Sequence, residues 1–225
     1  MRNFLLSLMI LLALMPTANA EHVATSTRFS PLVLSLNKQQ RIQGAFDFQS
    51  SPSGELSIAY LYKLYDGFDV GVGIHGGLLG GNMASGIFGF DVVLRYVRAV
   101  NDYLFLGIQT QGGYVYSGLG DKSISENFAS SFPITIGAVI GGVVRESTQL
   151  YFFPAVELGR AANAGDPLWK TGIGLQLAVG TVIAIHDDFF AYLETQPTFA
   201  NLNSNTTSGF QSFRIGLTLG VLYDF

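Results

Sequence analysis

The chain has 225 residues, of which 48% are hydrophobic and only 12% are charged, and it contains no cysteine. The charged fraction is about half of the roughly 25% typical of soluble domains, and the lack of cysteine excludes disulfides, zinc–thiolate clusters and thiol nucleophiles. The formal net charge of −4 argues against a nucleic-acid partner.

The first twenty residues have the pattern of a secretory signal peptide. Arg2 supplies a positive charge, residues 4–15 form an apolar run, and residues 18–20 have the small-x-small form of a cleavage site. The apolar run is too short to span a bilayer as a helix. We therefore predict that residues 1–20 are a signal peptide cleaved near Ala20.

From residue 40 onward, apolar and polar side chains alternate with the period of two that is typical of β-strands. No apolar run reaches 18 residues, which excludes a helical membrane protein. Pro154 and Pro197 each remove a ladder donor inside a predicted strand, so we predict a bulge at each. The predicted strands are Gln40–Gln49, Glu55–Tyr65, Phe68–Leu79, Ile87–Val97, Tyr103–Tyr116, Phe132–Val144, Gln149–Gly159, Trp169–Ile185, Phe189–Phe199 and Phe210–Phe225.

The connections between these strands alternate in length. Asp66-Gly67 is predicted to be a two-residue hairpin turn, because glycine tolerates the positive φ that the turn demands. Further short turns are predicted near residues 101, 147 and 187, whereas the loops at 80–86, 117–131, 160–168 and 200–209 are longer. Short turns at one end and long loops at the other are typical of bacterial outer-membrane barrels. An even strand count favours ten strands, with eight or twelve as alternatives.

The final strand carries the clearest resemblance to a known class of protein. Phe213 begins an apolar row on every second residue, and the row continues through Tyr223 to the terminal Phe225. This resembles the closing strand of a Gram-negative outer-membrane β-barrel, whose terminal aromatic residues are read by the barrel-assembly machinery. Tyr223 and Phe225 would then be the assembly signal.

The resemblance implies an all-β protein, a transmembrane antiparallel up-and-down β-barrel formed by residues 40–225 and surrounded by outer-membrane lipid and lipopolysaccharide. Residues 21–39 would be a periplasmic N-terminal segment, an early extension of the first strand or a plug within the lumen. The resemblance is one of architecture, and it transfers no functional residues.

The inward rows of the predicted strands contain charged side chains interleaved with glycines. Glycines could widen a polar conduit, or they could relieve crowding in a sealed interior. If the last hairpin pairs about residues 200–209, Glu194 stands opposite Arg214 and the two form an ion pair. The predicted lumen-lining residues are Asp47, Lys63, His75, Asp91, Arg95, Glu157, Glu194 and Arg214.

Two classes of function follow from the predicted barrel. It is a narrow porin-like or small-solute channel, or a sealed structural barrel whose extracellular loops bind a partner. The alternative is an outer-membrane enzyme, a protease or a lipid A-modifying enzyme, in which His75 and Asp91 act as a dyad. No serine is adjacent to His75 in sequence, so we predict no enzymatic activity and no catalytic, cofactor or metal site.

Overall fold

The computed structural model describes residues 38–49, 53–79, 85–118, 128–145, 147–163, 166–204 and 207–225. The predicted signal peptide and nearly all of the predicted N-terminal segment lie outside these ranges. Within the ranges, no helix is long and apolar enough to cross a membrane. The strands are β1 (Gln40–Gln49), β2 (Ser53–Tyr65), β3 (Phe68–Leu79), β4 (Ser85–Ala99), β5 (Leu104–Gly118), β6 (Phe128–Arg145), β7 (Thr148–Asn163), β8 (Asp166–His186), β9 (Phe189–Ser204) and β10 (Thr207–Asp224).

The ten strands form a closed antiparallel barrel, which confirms the predicted fold class and strand count. Each strand pairs with its neighbours in sequence, and β1 pairs with β10. The Phe225 amide donates to the Gln40 carbonyl over 3.0 Å, and the Gln40 amide donates to the Phe225 carbonyl over 3.1 Å. The terminal residue therefore completes the closing ladder, and closure leaves no exposed strand edge.

The two ends of the barrel differ in their connections. The turn end carries Gln40, Phe225 and the short connections at residues 66–67, 100–103, 146–147 and 187–188, and the opposite end is called the loop end. Gly67 has a φ of 78°, which confirms the predicted hairpin turn. At the next turn, the Asn101 Oδ1 atom accepts hydrogen bonds from the Tyr103 and Leu104 amides, both at 2.9 Å.

Several strands extend further toward the loop end than the sequence predicts. β6 begins at Phe128 rather than Phe132, and only residues 205–206 separate β9 from β10 instead of the predicted loop 200–209. The prediction failed because Ser, Thr and Asn are typical of loops. Ladder pairing depends on backbone groups and on the neighbouring strand, so a polar segment can continue it.

The bulges predicted at Pro154 and Pro197 are wrong. Register is unchanged across Pro154 on both sides, and the same holds for Pro197. The pairs between β6 and β7 are interrupted beside Pro154, and those between β8 and β9 are interrupted beside Pro197. A backbone N–H in a strand donates to only one of the two neighbouring strands, and proline lacks this N–H. Each proline therefore weakens the ladder toward one neighbouring strand, and no residue is inserted.

The two faces of the barrel wall have the reverse of the polarity found in a soluble protein. Along β2, the outward Leu56 and Ile58 side chains are 64% and 61% exposed, whereas the inward Glu55 is 1% exposed. The other strands show the same alternation, with outward apolar rows and inward rows that contain the charges. The apolar surface faces out of the barrel, and the polar surface is buried within it.

Candidate functional site: the barrel interior

The structure places most of the predicted lumen-lining residues in buried inward positions. The Lys63 side chain is half-buried at the turn end, and that of Arg214 lies outside the described part of the structure. The buried residues of this set are Asp47, His75, Asp91, Arg95, Glu157 and Glu194.

Two arginines inside the turn-end half of the barrel each donate two hydrogen bonds to a buried carboxylate. Arg41 donates to Asp224 through Nε over 2.5 Å and through Nη2 over 2.8 Å. Arg95 donates to Asp69 through Nε over 2.9 Å and through Nη2 over 2.7 Å. Both pairs join adjacent strands, β1 to β10 and β3 to β4. They compensate for the loss of water around buried charges, which would otherwise be costly.

A second polar group, the His75 cluster, consists of Glu55, His75 and Asp91 on β2, β3 and β4. The His75 Nδ1 atom lies 3.3 Å from Glu55 Oε2, and its Nε2 atom lies 3.7 Å from Asp91 Oδ2. The predicted proximity of His75 and Asp91 is therefore present, although register places Gly89, not Asp91, directly opposite His75. Asp47 on β1 stands opposite Glu55 on β2, and it accepts a hydrogen bond from the Thr218 hydroxyl.

The predicted pairing of Glu194 with Arg214 across the final hairpin is wrong in register. Glu194 stands opposite Thr218, and Arg214 stands opposite Thr198, because strands β9 and β10 continue to residues 204 and 207. The shift of four residues along β10 follows from the shorter connection. Glu194 instead accepts a hydrogen bond from the Tyr151 hydroxyl over 2.6 Å, and this bond spans from β7 to β9.

Glycines lie beneath the large inward side chains of neighbouring strands. A Cβ atom at Gly89 would collide with the His75 ring, and one at Gly141 would collide with the Phe105 ring. Each of these pairs is in direct cross-strand register. This arrangement supports the interpretation that the glycines relieve crowding in a filled interior. The same relation holds between Gly113 and Asp91, Gly180 and Tyr151, and Gly220 and Tyr192. A Cβ atom at Gly137, which stands opposite Ala155, would collide with the nearby Phe153 ring.

The middle of the barrel is filled by side chains. Tyr151, Phe153 and Tyr192 are at most 5% exposed and belong to one apolar cluster that includes Phe105 from the other side of the barrel. The buried polar side chains around it reach at most 7% exposure. Among the described residues, the interior side chains are therefore packed against one another as in a core.

A cavity of about 380 Å³ lies at the turn end, between strands β2 and β7. We call it the turn-end vestibule. Its lining includes Val97 and Phe105, which also belong to the apolar cluster. The residues that define it are Lys63, Asp66, Val97, Tyr103, Phe105 and Val143.

Sequence reasoning missed several interior residues. Glu55 and Ser57 lie on the inward row of β2, and Ser57 stands directly opposite His75 in register. Glu55 and Ser57 lie on the same face of β2 as Ala59 and Leu61, which are both buried. This spacing of two residues was the signal in the sequence that could have identified them. Tyr151 and Tyr192 were missed because aromatic residues at turn-proximal positions are equally compatible with the outward row.

The described part of the barrel interior carries no arrangement suited to a metal. Within the described residues, no group of three or more His, Cys, Asp or Glu side chains could hold a metal ion.

At the closing strand, the Tyr223 and Phe225 rings stack with centroids 5.8 Å apart on the outward face. The two predicted assembly-signal residues thus form one exposed aromatic pair at the turn end.

No protein-family model matches the sequence, and no curated protein matches it significantly. The chain is similar in fold to the outer membrane protease OmpT of Escherichia coli, with 11% identity, a TM-score of 0.46, and coverage of 87% of this chain and 100% of that one. It is also similar to the attachment invasion locus protein Ail of Yersinia pestis, with 14% identity, a TM-score of 0.40, and coverage of 84% and 99%.

A further match is OmpT, an outer membrane protein of Vibrio cholerae, with 11% identity and a TM-score of 0.37. This match covers 78% of the chain and 56% of that protein, so the chain spans little more than half of its length. Likenesses at these identities concern the fold alone, and no residue role is carried across.

Proposed function

We propose that the chain is an integral outer-membrane β-barrel with a sealed interior, which acts through the surface at its loop end and does not conduct solutes. Its immediate surroundings are outer-membrane lipid and lipopolysaccharide, and the barrel-assembly machinery inserts it. The turn end, with both Gln40 and Phe225, faces the periplasm, and the loop end faces outward to a partner.

The membrane part of the proposal is supported by the outward face. Exposed apolar side chains on every strand would form a patch far larger than soluble monomers tolerate. In lipid the same face is favourable, because closure pairs the backbone groups between strands. Aromatic pairs lie toward both ends of this face, as in a membrane-interface belt. They are Phe90–Tyr114 and Tyr114–Phe132 toward the loop end, and Tyr65–Phe68 and Tyr223–Phe225 at the turn end.

The packing of side chains in the barrel interior is the observation that supports the functional part. A porin-like channel requires a continuous polar path, whereas Phe105, Tyr151, Phe153 and Tyr192 belong to one buried apolar cluster inside this barrel. Among the described residues, the charged side chains beside them are buried, and two arginines are held in ion pairs. A barrel closed in this way can act only through its ends.

Single-channel recording in planar bilayers tests the proposal. Folded protein, verified by heat-modifiable migration on a gel, should give no discrete openings. The double variant Phe105→Ala, Phe153→Ala is the matched positive control, because it removes two of the rings that fill the interior. Discrete, ion-selective openings of the wild-type protein would contradict the sealed barrel and favour a small-solute channel.

A second candidate, a hydrolase, is favoured by one observation. Ser57 stands opposite His75, whose two ring nitrogens lie near Glu55 and Asp91. Against it, Ser57 is 6% exposed and His75 is 2% exposed, so a substrate could not reach them without opening the barrel. Hydrolysis of a fluorogenic ester or peptide by the folded protein, lost in both Ser57→Ala and His75→Gln, would establish the hydrolase. Its absence would leave the sealed barrel as the better account.

A further inference from the structure

Four titratable side chains lie next to one another across the first four strands of the barrel wall. Asp47 on β1 stands opposite Glu55 on β2, and the ring of His75 on β3 lies between Glu55 and Asp91 on β4. All four residues are at most 3% exposed. We call them the titratable row, which contains three carboxyl groups and one imidazole.

The geometry of the His75 ring suits its doubly protonated form. The Nδ1 atom lies 3.3 Å from Glu55 Oε2, and the Nε2 atom lies 3.7 Å from Asp91 Oδ2. A neutral imidazole has one N–H group and one lone pair, whereas the imidazolium ion has an N–H group on both nitrogens. In the neutral form, one of the two carboxylates would therefore face a lone pair. The imidazolium form attracts both carboxylates, and it joins β2, β3 and β4.

The charged groups around the titratable row make a neutral ring unfavourable. Beyond the carboxylate on β4, the facing residue on β5 is Gly113, which carries no charge. Toward the turn end, Arg41 and Arg95 each donate two hydrogen bonds to a carboxylate outside the row. From the far side of the barrel, β7 and β9 contribute Glu157 and Glu194, which are both buried. With a neutral imidazole, the row would place three negative charges in an interior where burying charge is costly.

We propose that the titratable row is a proton-binding site that makes the barrel sensitive to pH. At neutral pH, His75 holds a proton on each ring nitrogen and bridges Glu55 and Asp91. Loss of one proton leaves three carboxylates around a neutral ring, and repulsion replaces the attraction that holds β2, β3 and β4 together. Asp47 and Glu55 lie two residues from the loop-end limits of β1 and β2 (49 − 47 and 55 − 53), so the change acts on the loop end of the wall. The inference does not require a partner at the loop end.

The sign of the pH dependence follows from the number of bound protons in the folded and unfolded states. An unfolded histidine releases its proton near about pH 6.5, and unfolded Asp and Glu release theirs near about pH 4. Above about pH 6.5, the folded row therefore holds one proton more than the unfolded chain does. Stability falls with rising pH wherever the folded state binds more protons. The stability contributed by the bridge is fully present below about pH 6.5 and is lost as the pH rises.

Urea titration of the folded full chain in lipid, repeated at a series of pH values, measures the number of retained protons. One retained proton raises the unfolding equilibrium constant about tenfold for each pH unit. Between about pH 7 and about pH 9, we expect at least a roughly tenfold rise in the wild-type protein and less than about threefold in His75→Gln, whose new side chain does not titrate. His186→Gln is the matched control, because His186 is exposed at the turn end, and it should keep the wild-type pH dependence.

A spectroscopic measurement protects the test against a His75→Gln variant that fails to fold. The chain contains three histidines, so nitrogen-15 labelling of histidine gives few ring signals in the nuclear magnetic resonance spectrum. At about pH 8 we expect one histidine to carry a proton on both ring nitrogens, and this signal should persist in His22→Gln and in His186→Gln. Neutral rings for every histidine would overturn the proposal. Equal pH dependence of unfolding in the wild-type and His75→Gln proteins would also overturn it.

Discussion

The aromatic rings of the apolar cluster (Phe105, Tyr151, Phe153 and Tyr192), called here the aromatic core, and the His75 cluster fill the same interior. They do so by the same geometric device but with opposite chemistry. In the aromatic core, Phe105 lies over Gly141; in the His75 cluster, His75 lies over Gly89. In both regions a glycine on the next strand provides the space for a large side chain. The comparison shows that the space above a glycine can hold an aromatic ring or a titratable group, and we expect the two regions to respond differently to mutation.

The charged parts of the interior should be the most sensitive to loss of one partner. Asp69→Ala leaves the Arg95 guanidinium buried without its carboxylate, and we expect a loss of about 3–5 kcal/mol in the free energy of unfolding. Urea titration of the folded protein in lipid measures it. Asp66→Ala, at the exposed turn nearby, is the control and should change stability by less than about 1 kcal/mol.

The double variant Asp69→Ala, Arg95→Met separates a lost ion pair from a lost contact. Methionine removes the buried charge and keeps much of the volume, so stability should be partly restored. If Asp69→Ala is as mild as Asp66→Ala, Arg95 must be hydrated, and the turn-end half of the interior would not be sealed.

The aromatic core should respond to added volume. Gly141→Ala places a methyl group against the Phe105 ring, and we expect a loss of about 1–3 kcal/mol from overpacking. Gly44→Ala is the matched control, because its Cβ atom would come no closer than 3.9 Å to a neighbouring side chain. Urea titration should therefore show little change for it, within about 0.5 kcal/mol.

A compensating variant tests the mechanism in the aromatic core. Phe105→Leu removes the ring beneath the new methyl group, so the double variant with Gly141→Ala should lose less than the sum of the two single variants. Simple additivity would show that Gly141 is needed for the backbone and not for the ring, and the shared geometric device would then be limited to the His75 cluster.

The sequence alone was sufficient for the fold because the outward rows are regular. The predicted bounds of β3, Phe68–Leu79, match the structure, and the Asp66-Gly67 turn defines where β2 ends. The outer face of a transmembrane barrel has one uniform environment, so the alternation of apolar and polar residues along each strand is undisturbed. Strand ends at the loop end were predicted less well, because polar residues can either continue a ladder or leave it.

The interior was harder to predict because its contacts depend on register. A change of four residues in the β9–β10 pairing moves Arg214 from opposite Glu194 to opposite Thr198. Ser57 lies 18 positions before His75 in the sequence (75 − 57) yet stands opposite it in the barrel. The sequence shows which residues of a strand point inward. The residue that stands opposite each of them on the next strand depends on the length of the connection between the two strands.

The pairing of Glu194 joins the two chemistries, because a carboxylate in the interior accepts its hydrogen bond from Tyr151 of the aromatic core. Glu194→Ala leaves the buried Tyr151 hydroxyl without this acceptor, and we expect a loss of about 1–3 kcal/mol. Tyr151→Phe removes the donor and should cost about 0.5–1.5 kcal/mol. Urea titration in lipid measures both, as well as the double variant.

The coupling energies decide between the two possible partners of Glu194. The bond of 2.6 Å predicts that Glu194→Ala and Tyr151→Phe are coupled by about 1–2 kcal/mol in a double-mutant cycle. Glu194→Ala and Arg214→Met should instead be nearly additive, because Arg214 stands opposite Thr198. Strong coupling to Arg214 with none to Tyr151 would contradict the observed register and restore the pairing that the loop at residues 200–209 predicts. Coupling to Tyr151 alone would show that the carboxylate belongs to the packing of the aromatic core, which it joins through the hydrogen bond from β7 to β9.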